Sequence, residues 1–191
     1  SEQNLSFNQT DFDVAMQEQK DRSKKSGKIE KGDWKVLLND EVEEFVGYTF
    51  LETEVKITRY RKIKTNDGEQ FQLVFNLTPF YSEGGGQVGD TGVIESKSET
   101  IAIVDTKKEN NLIVHFIDEL PKDVNASFIA KVNASDRKAS ERNHTATHLL
   151  QESLRMLLGE HVVQKGSLVN PNYLRFDFTH FSKIEKSDLH K

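Results

Sequence analysis

The sequence predicts an α+β chain: an N-terminal helix, a small antiparallel β-barrel, and a long helix that opens a second α+β unit. Apolar residues alternate with a period of two through much of residues 49 to 132, turn residues punctuate those runs, and the period turns helical after Asn133. Leu, Val, Phe and Ile make up 53 of the 191 residues, enough apolar mass to form a sizeable core and to exclude wholesale disorder.

The first helix is expected over about residues 11 to 25, with Thr10 as cap, Asp13 in the first turn and basic residues before Ser26 and Gly27. Its apolar residues, Phe12, Val14, Ala15 and Met16, crowd the front, so most of its length should be solvated or rest on something outside these residues. Lys20, Arg22, Lys24, Lys25, Lys28 and Lys31 form a basic cluster that suits either a solvated face or RNA phosphate. A linker around Gly27 to Gly32 leads to Trp34.

Leu51, Thr53, Val55 and Ile57 alternate with Glu52, Glu54, Lys56 and Thr58, the pattern of a half-buried strand. Asp67 and Gly68 supply a tight hairpin, after which Phe71, Leu73, Phe75 and Leu77 share a face. Further strands are expected at 101–104, at 112–117 behind a turn at Asn110 and Asn111, and at 127–132. Asn133 or Ser135 caps a helix running to about Leu158, with Gly159 as its stop. Leu174, Phe176 and Phe178 then alternate with Arg175, Asp177 and Thr179, beginning a second sheet.

The formal charge of −5 argues against a generally basic nucleic-acid coat while permitting a local patch. No apolar run approaches the roughly 18 residues of a membrane span, and the start SEQNLSFNQTDF lacks the features of a secretory signal. A soluble, cytoplasmic protein without a membrane partner is expected. The absence of cysteine excludes disulfides and thiolate zinc sites within these residues. A first residue that is not Met and a last stretch, SDLHK, without a closing signal suggest an internal piece of a longer protein.

His144 and His148 lie four apart on the long helix, so both imidazoles project from one face and can meet one zinc ion. The same spacing serves a polar stripe equally well. Metalloprotease chemistry needs a Glu beside the first His, where this chain has Thr145. His161 and His180 have no spacing that argues for ligation. The run SEGGGQVGDTG at 82–92 holds five of the 11 glycines, so something should approach that backbone closely. Its amides can face an oxygen-rich ligand, with Gln87 and Asp90 orienting it, or it can be a wide turn between strands. QKGS at 164–167 lines a pocket or shapes a loop, and Arg175 either reaches a ligand phosphate or pairs near Asp177.

Together, TPFYSEGGGQVGDTG at 78–92, RNHTATHLLQESLRMLLGEHVVQKGSLV at 142–169 and LRFDF at 174–178 resemble the alanyl-tRNA synthetase family in order and distance. The resemblance covers nearly the whole chain and implies three parts: residues 1–45, a helical lead-in ending the tRNA-recognition region; 46–132, the β-barrel with its glycine loop; and 133–191, the first part of an α+β editing domain. It implies an internal piece of an alanine-tRNA ligase, the ATP-dependent enzyme that joins alanine to its tRNA. This piece would carry part of the site that hydrolyses Ser- or Gly-mischarged alanine tRNA at its 3′ end.

By that resemblance Gln164 takes the catalytic place. Thr78, Gly85, Gly86, Gln87, Asp90 and Arg175 take substrate-binding places, with the Thr78 hydroxyl reading the hydroxyl of a misattached Ser. His144 and His148 are zinc ligands whose CxxxH partners lie beyond Lys191. The site is then incomplete here, and the piece alone is expected to be inactive. ATP and magnesium belong to an aminoacylation domain outside these residues. A stand-alone trans-editing deacylase and a noncatalytic RNA-binding barrel are the alternatives; the helical lead-in favours the synthetase.

Overall fold

The computed structural model describes residues 8–25, 30–39, 44–65 and 68–188, with side chains at all of these except 20–25 and 30. The basic side chains at Lys20, Arg22, Lys24, Lys25 and Lys28, and Asp67 of the hairpin, lie outside the described residues. The described elements are α1 (Gln9–Lys25), β1 (Glu30–Lys31), β2 (Lys35–Val36), β3 (Glu44–Phe45), β4 (Glu52–Thr65), β5 (Gly68–Phe75), β6 (Leu77–Thr78), β7 (Gly92–Glu95), β8 (Thr100–Ile103), β9 (Asp105–Glu109), β10 (Leu112–Ile117), β11 (Ser127–Val132), α2 (Ala134–Leu158), β12 (Gln164–Val169) and β13 (Leu174–Phe178). The architecture is mixed, with two helices and mostly antiparallel sheet among the described residues.

The main sheet runs β8-β7-β11-β4-β5-β10-β9, with β1 and β2 also on β4. Of the closed or nearly closed barrel expected over residues 46–132, full closure is not formed. The ladder is open between β8 and β9, because these are successive pieces of one chain turning a corner at Val104 rather than paired strands. The sheet instead bends around one core, where Val55, Ile57, Leu73, Phe75, Phe80, Ile94, Ile103, Ile117 and Phe128 meet. Burying each of these side chains contributes about 1.5 to 3 kcal/mol.

A bulge between Ile57 and Arg59 on β4 reverses the faces of that strand. Before it, Val55 and Ile57 face the main core. After it, Ile63 joins Val74, Val114 and Phe116 in a second cluster covered by Trp34. The bulge also turns Thr58 inward, where simple alternation places it outside, and its hydroxyl donates to the Val74 carbonyl at 3.1 Å.

Asn110 and Asn111 take φ of 47° and 70°, the left-handed turn expected between β9 and β10. Asn133 caps α2 by accepting from the Asp136 amide, and Gly159 ends it at φ 111°. The described side chains of α1 are all exposed, as the sequence suggested for most of its length. β7, a run of only four residues directly behind the glycine loop, was not expected as a strand.

Candidate functional site at the glycine loop and the α2 histidines

The loop between β6 and β7 is held from below by a buried ion pair. Arg137, in the first turns of α2, donates through Nε to both Asp90 oxygens at 3.0 and 2.8 Å, and its terminal nitrogen also meets Asp90 Oδ2. The same guanidinium reaches the carbonyls of Gly47 at 2.8 Å and Pro79 at 3.0 Å. Asp90 further accepts the Tyr81 amide at 2.8 Å. One side chain thus fixes the loop, the segment before β4 and the start of α2. A planar fork of fixed donors suits this task better than the flexible point charge of Lys.

Within the loop, Gly84 and Gln87 exchange both backbone hydrogen bonds at 3.0 Å around Gly85 and Gly86, whose φ values are 59° and 82°. Positive φ at both central residues makes this a type I′ turn. The close approach anticipated for the glycines comes largely from the protein itself. A Cβ on Gly86 would lie 2.0 Å from Ser167 Oγ, and one on Gly89 1.9 Å from the Thr106 carbonyl. The loop is laced to β12 by Val88 N–H to the Val169 carbonyl at 3.0 Å and Val169 N–H to the Gly86 carbonyl at 2.7 Å.

The turn delivers Gln87 to the helix: His144 Nδ1–H donates to Gln87 Oε1 at 2.8 Å. That bond requires the Nδ1–H tautomer of the neutral ring, which leaves Nε2 with a free lone pair. Gly85 also faces His144, whose Cε1 lies 3.8 Å from an ideal Cβ there. His148 stacks on His144 with ring centroids 5.0 Å apart. Tyr48, Tyr81, Gln87, Arg137, Glu141, His144, Thr145 and His148 line a cavity of about 320 Å³. Burial, and then the neighbouring Tyr48, raises the Tyr81 phenol above its ordinary 10.0.

The structure therefore brings together Gly85, Gln87, His144 and His148, while Gly86 packs on β12. The other expected site residues sit elsewhere. Asp90 is buried and committed to Arg137 and Tyr81, so it positions the loop. Thr78 is buried too: its hydroxyl lies 2.8 Å from His115 Nε2 and accepts the Phe80 amide at 3.1 Å, facing the core and not lining this cavity. Arg175 pairs with Asp177 at 3.1 Å on the exposed face of β13. Gln164 opens β12 and bonds to Ser167 Oγ at 3.0 Å, one residue removed from the Gly86 contact. His161 and His180 hydrogen-bond to each other at 2.8 Å.

The two α2 imidazoles suit two positions of a tetrahedral zinc site, with Gln87 orienting His144 as outer-shell groups do. Among the described residues, no group of three or more His, Cys, Asp and Glu side chains is placed to hold a metal ion.

A sequence model of the class II (A) tRNA synthetases matches residues 1–137. The chain belongs to that family. Over its length this synthetase chain is also similar to proteins named alanine-tRNA ligase. That of Flavobacterium psychrophilum is 50% identical over 198 residues, covering 98% of this chain and 22% of the relative. That of Bacteroides fragilis is 50% identical over 190 residues, and that of Cytophaga hutchinsonii 47% over 190 residues, each covering all of this chain and 22% of the relative. The synthetase chain thus spans about a fifth of the length of the curated relatives it matches.

Arg137, Tyr48, Tyr81 and Glu141 were not anticipated as part of this cavity. Arg137 and His144 are seven apart, two turns on one helical face, and that spacing was the available signal for Arg137. The tyrosines arrive from separate segments and had none. No helix among the described residues is long and apolar enough to cross a membrane.

Proposed function

We propose that this chain forms part of the editing site of an alanine-tRNA ligase, where the ester joining Ser or Gly to the 3′ end of the alanine tRNA is hydrolysed. The observation that carries the proposal is the 2.8 Å bond between Gln87 and His144, which joins the glycine loop to the α2 histidines at one cavity. The similarity to alanine-tRNA ligases supplies the substrate class. The helix at residues 9–25 is the lead-in from the tRNA-recognition region, the strands from Glu30 to Val132 make up the β unit with the loop, and 133–191 is the opening of the editing domain. ATP- and magnesium-dependent attachment of alanine belongs to other parts of the ligase.

The need for such a site follows from binding energetics. An alanine pocket discriminates weakly against Gly, one methyl smaller, or Ser, one hydroxyl larger, since such differences are worth about 1 to 3 kcal/mol. A second site that accepts the errors removes them.

Hydrolysis breaks the acyl carbon–oxygen bond, adds a water oxygen to the acyl carbon and returns a proton to the ribose oxygen. Gln87 fixes the tautomer of His144, so the Nε2 lone pair is available to accept a proton or bind a metal. Arg137 holds loop and helix at the separation this requires. His144 and His148, with further ligands, would hold zinc, which would supply polarisation of the ester or water, or a hold on the substrate amine. Gln164 takes the catalytic place in this reading, and its bond to Ser167, which packs against Gly86, supports the loop from β12.

Single-turnover deacylation of Ser-charged tRNA tests this in the full ligase. Gln87→Ala and His144→Ala should each slow hydrolysis by at least 10-fold while alanine attachment is retained. Unchanged hydrolysis in both would reject the proposal.

A further inference from the structure

A second cleft shares a wall with the histidine cavity. Phe45, Tyr48, Tyr81, Ser82, Lys108, Asn111 and Ile113 line a volume of about 290 Å³, and Tyr48 and Tyr81 border both spaces. Phe45 holds the two tyrosines edge-on, with centroids 4.9 Å from Tyr48 and 6.2 Å from Tyr81. Phe45 is itself anchored by the pairing of β3 with β6. Tyr48 is nonetheless 87% exposed, a large apolar ring with its base fixed and a surface open to solvent. Lys108, across the cleft, makes no ion pair among the described residues, whereas its neighbour Lys107 is paired with Asp105 at 3.0 Å.

An exposed aromatic face beside an unpaired cation is the chemistry of single-stranded nucleic-acid binding. A base stacks on the ring and its phosphate meets the ammonium. We propose that this cleft binds the nucleotide immediately preceding the terminal adenosine of a single-stranded RNA 3′ end, with its base on Tyr48 and the phosphodiester that joins it to the adenosine at Lys108. The inference rests on the proposed function, which puts the terminal adenosine ester in the adjoining histidine cavity. The shared tyrosine wall makes the two subsites successive along one strand. The cation argues for a nucleotide over an apolar peptide, for which Lys108 would be an unused charge.

Titration of the chain with adenosine and with the dinucleotide cytidylyl-(3′→5′)-adenosine, followed by NMR, separates the two readings. The dinucleotide should bind more tightly than adenosine. Tyr48→Ala should lower the ratio of dinucleotide to adenosine affinity by about 5- to 150-fold, the range for loss of one base–aromatic stack. Lys108→Gln should reduce the salt dependence of dinucleotide binding by about 0.7 in log–log slope, one phosphate contact on a single strand. Tyr48 is too exposed for its loss to unfold the chain, and Lys108→Gln gives a second, independent readout. If adenosine still perturbs His144 but neither variant alters the ratio or the slope, the nucleotide subsite is overturned alone and the cleft is left to a protein partner. If neither ligand perturbs His144, the proposed function fails and the subsite fails with it.

Discussion

Arg137 and Asp90, 47 residues apart in the chain, form an ion pair buried on both sides, and the carbonyls of Gly47 and Pro79 take up other guanidinium donors. Pairing and hydrogen bonding together offset the desolvation of such charges, so removing one partner strands the other. Asp90→Ala is expected to destabilise the fold by about 3 to 5 kcal/mol. Arg137→Lys should cost less but still loosen the loop, since an ammonium cannot reproduce the fork. Denaturant melts of the two variants check this; a loss below about 1 kcal/mol for Asp90→Ala would contradict the anchoring role.

His115 gives the fold an acid limit. The ring is fully buried, and desolvation, only partly opposed by its bond to the Leu73 carbonyl, lowers its pKa from 6.5 to about 3. The unfolded chain therefore binds a proton between these values while the native state does not, so stability is complete above about pH 6.5 and falls as pH drops towards 3. The full effect is on the order of 5 kcal/mol. Denaturation midpoints for the wild type should fall across that window, and His115→Leu should flatten this part of the profile despite a lower starting stability. Equal slopes for the two would reject the assignment.

Thr78 is coupled to the same ring. Thr78→Val removes the partner of His115 Nε2 and the acceptor of the Phe80 amide, both buried, at a cost of about 1 to 3 kcal/mol. With its hydroxyl turned inward, the substitution is expected to change deacylation of Ser- and Gly-charged tRNA by similar factors in the full ligase. A loss confined to the Ser substrate would instead put this hydroxyl at the substrate, as the sequence resemblance implied.

The zinc content of the isolated chain is expected to be low. Two neutral imidazoles on one helical turn supply half of a tetrahedral shell, and no third described ligand accompanies them. Elemental analysis after extensive dialysis should find far less than one zinc per chain. One equivalent retained would show that further donors complete the shell.

Much of this was legible in local sequence. Asn133 and Gly159 delimit α2 because capping and the left-handed stop are local effects, and the His144–His148 pair follows from helical repeat alone. Asn110 and Asn111 mark their turn for the same reason. The contacts that decide site membership are not local. The partners that bury Thr78 and Asp90 are distant: His115 lies 37 residues from Thr78 on another strand, and Arg137 lies on the helix after Asp90, so neither contact shows in the local sequence. The Ile57–Arg59 bulge is likewise silent in the alternation pattern, yet it reverses the outer half of β4 and turns Thr58 inward. Full closure of the sheet fails at Val104, between β8 and β9, a break that the continuous apolar run at 101–104 does not show.

The central claim is that the glycine loop and the α2 histidines form one site for the esterified 3′ adenosine. It is tested most directly by titrating ¹⁵N-histidine-labelled chain with a non-hydrolysable 3′-serylamino analogue of adenosine. The account expects saturable shifts at His144 and His148, abolished by Gln87→Ala, with His161 and His180 unmoved. Shifts confined to His161 and His180, or saturable binding that leaves His144 unperturbed, would contradict it.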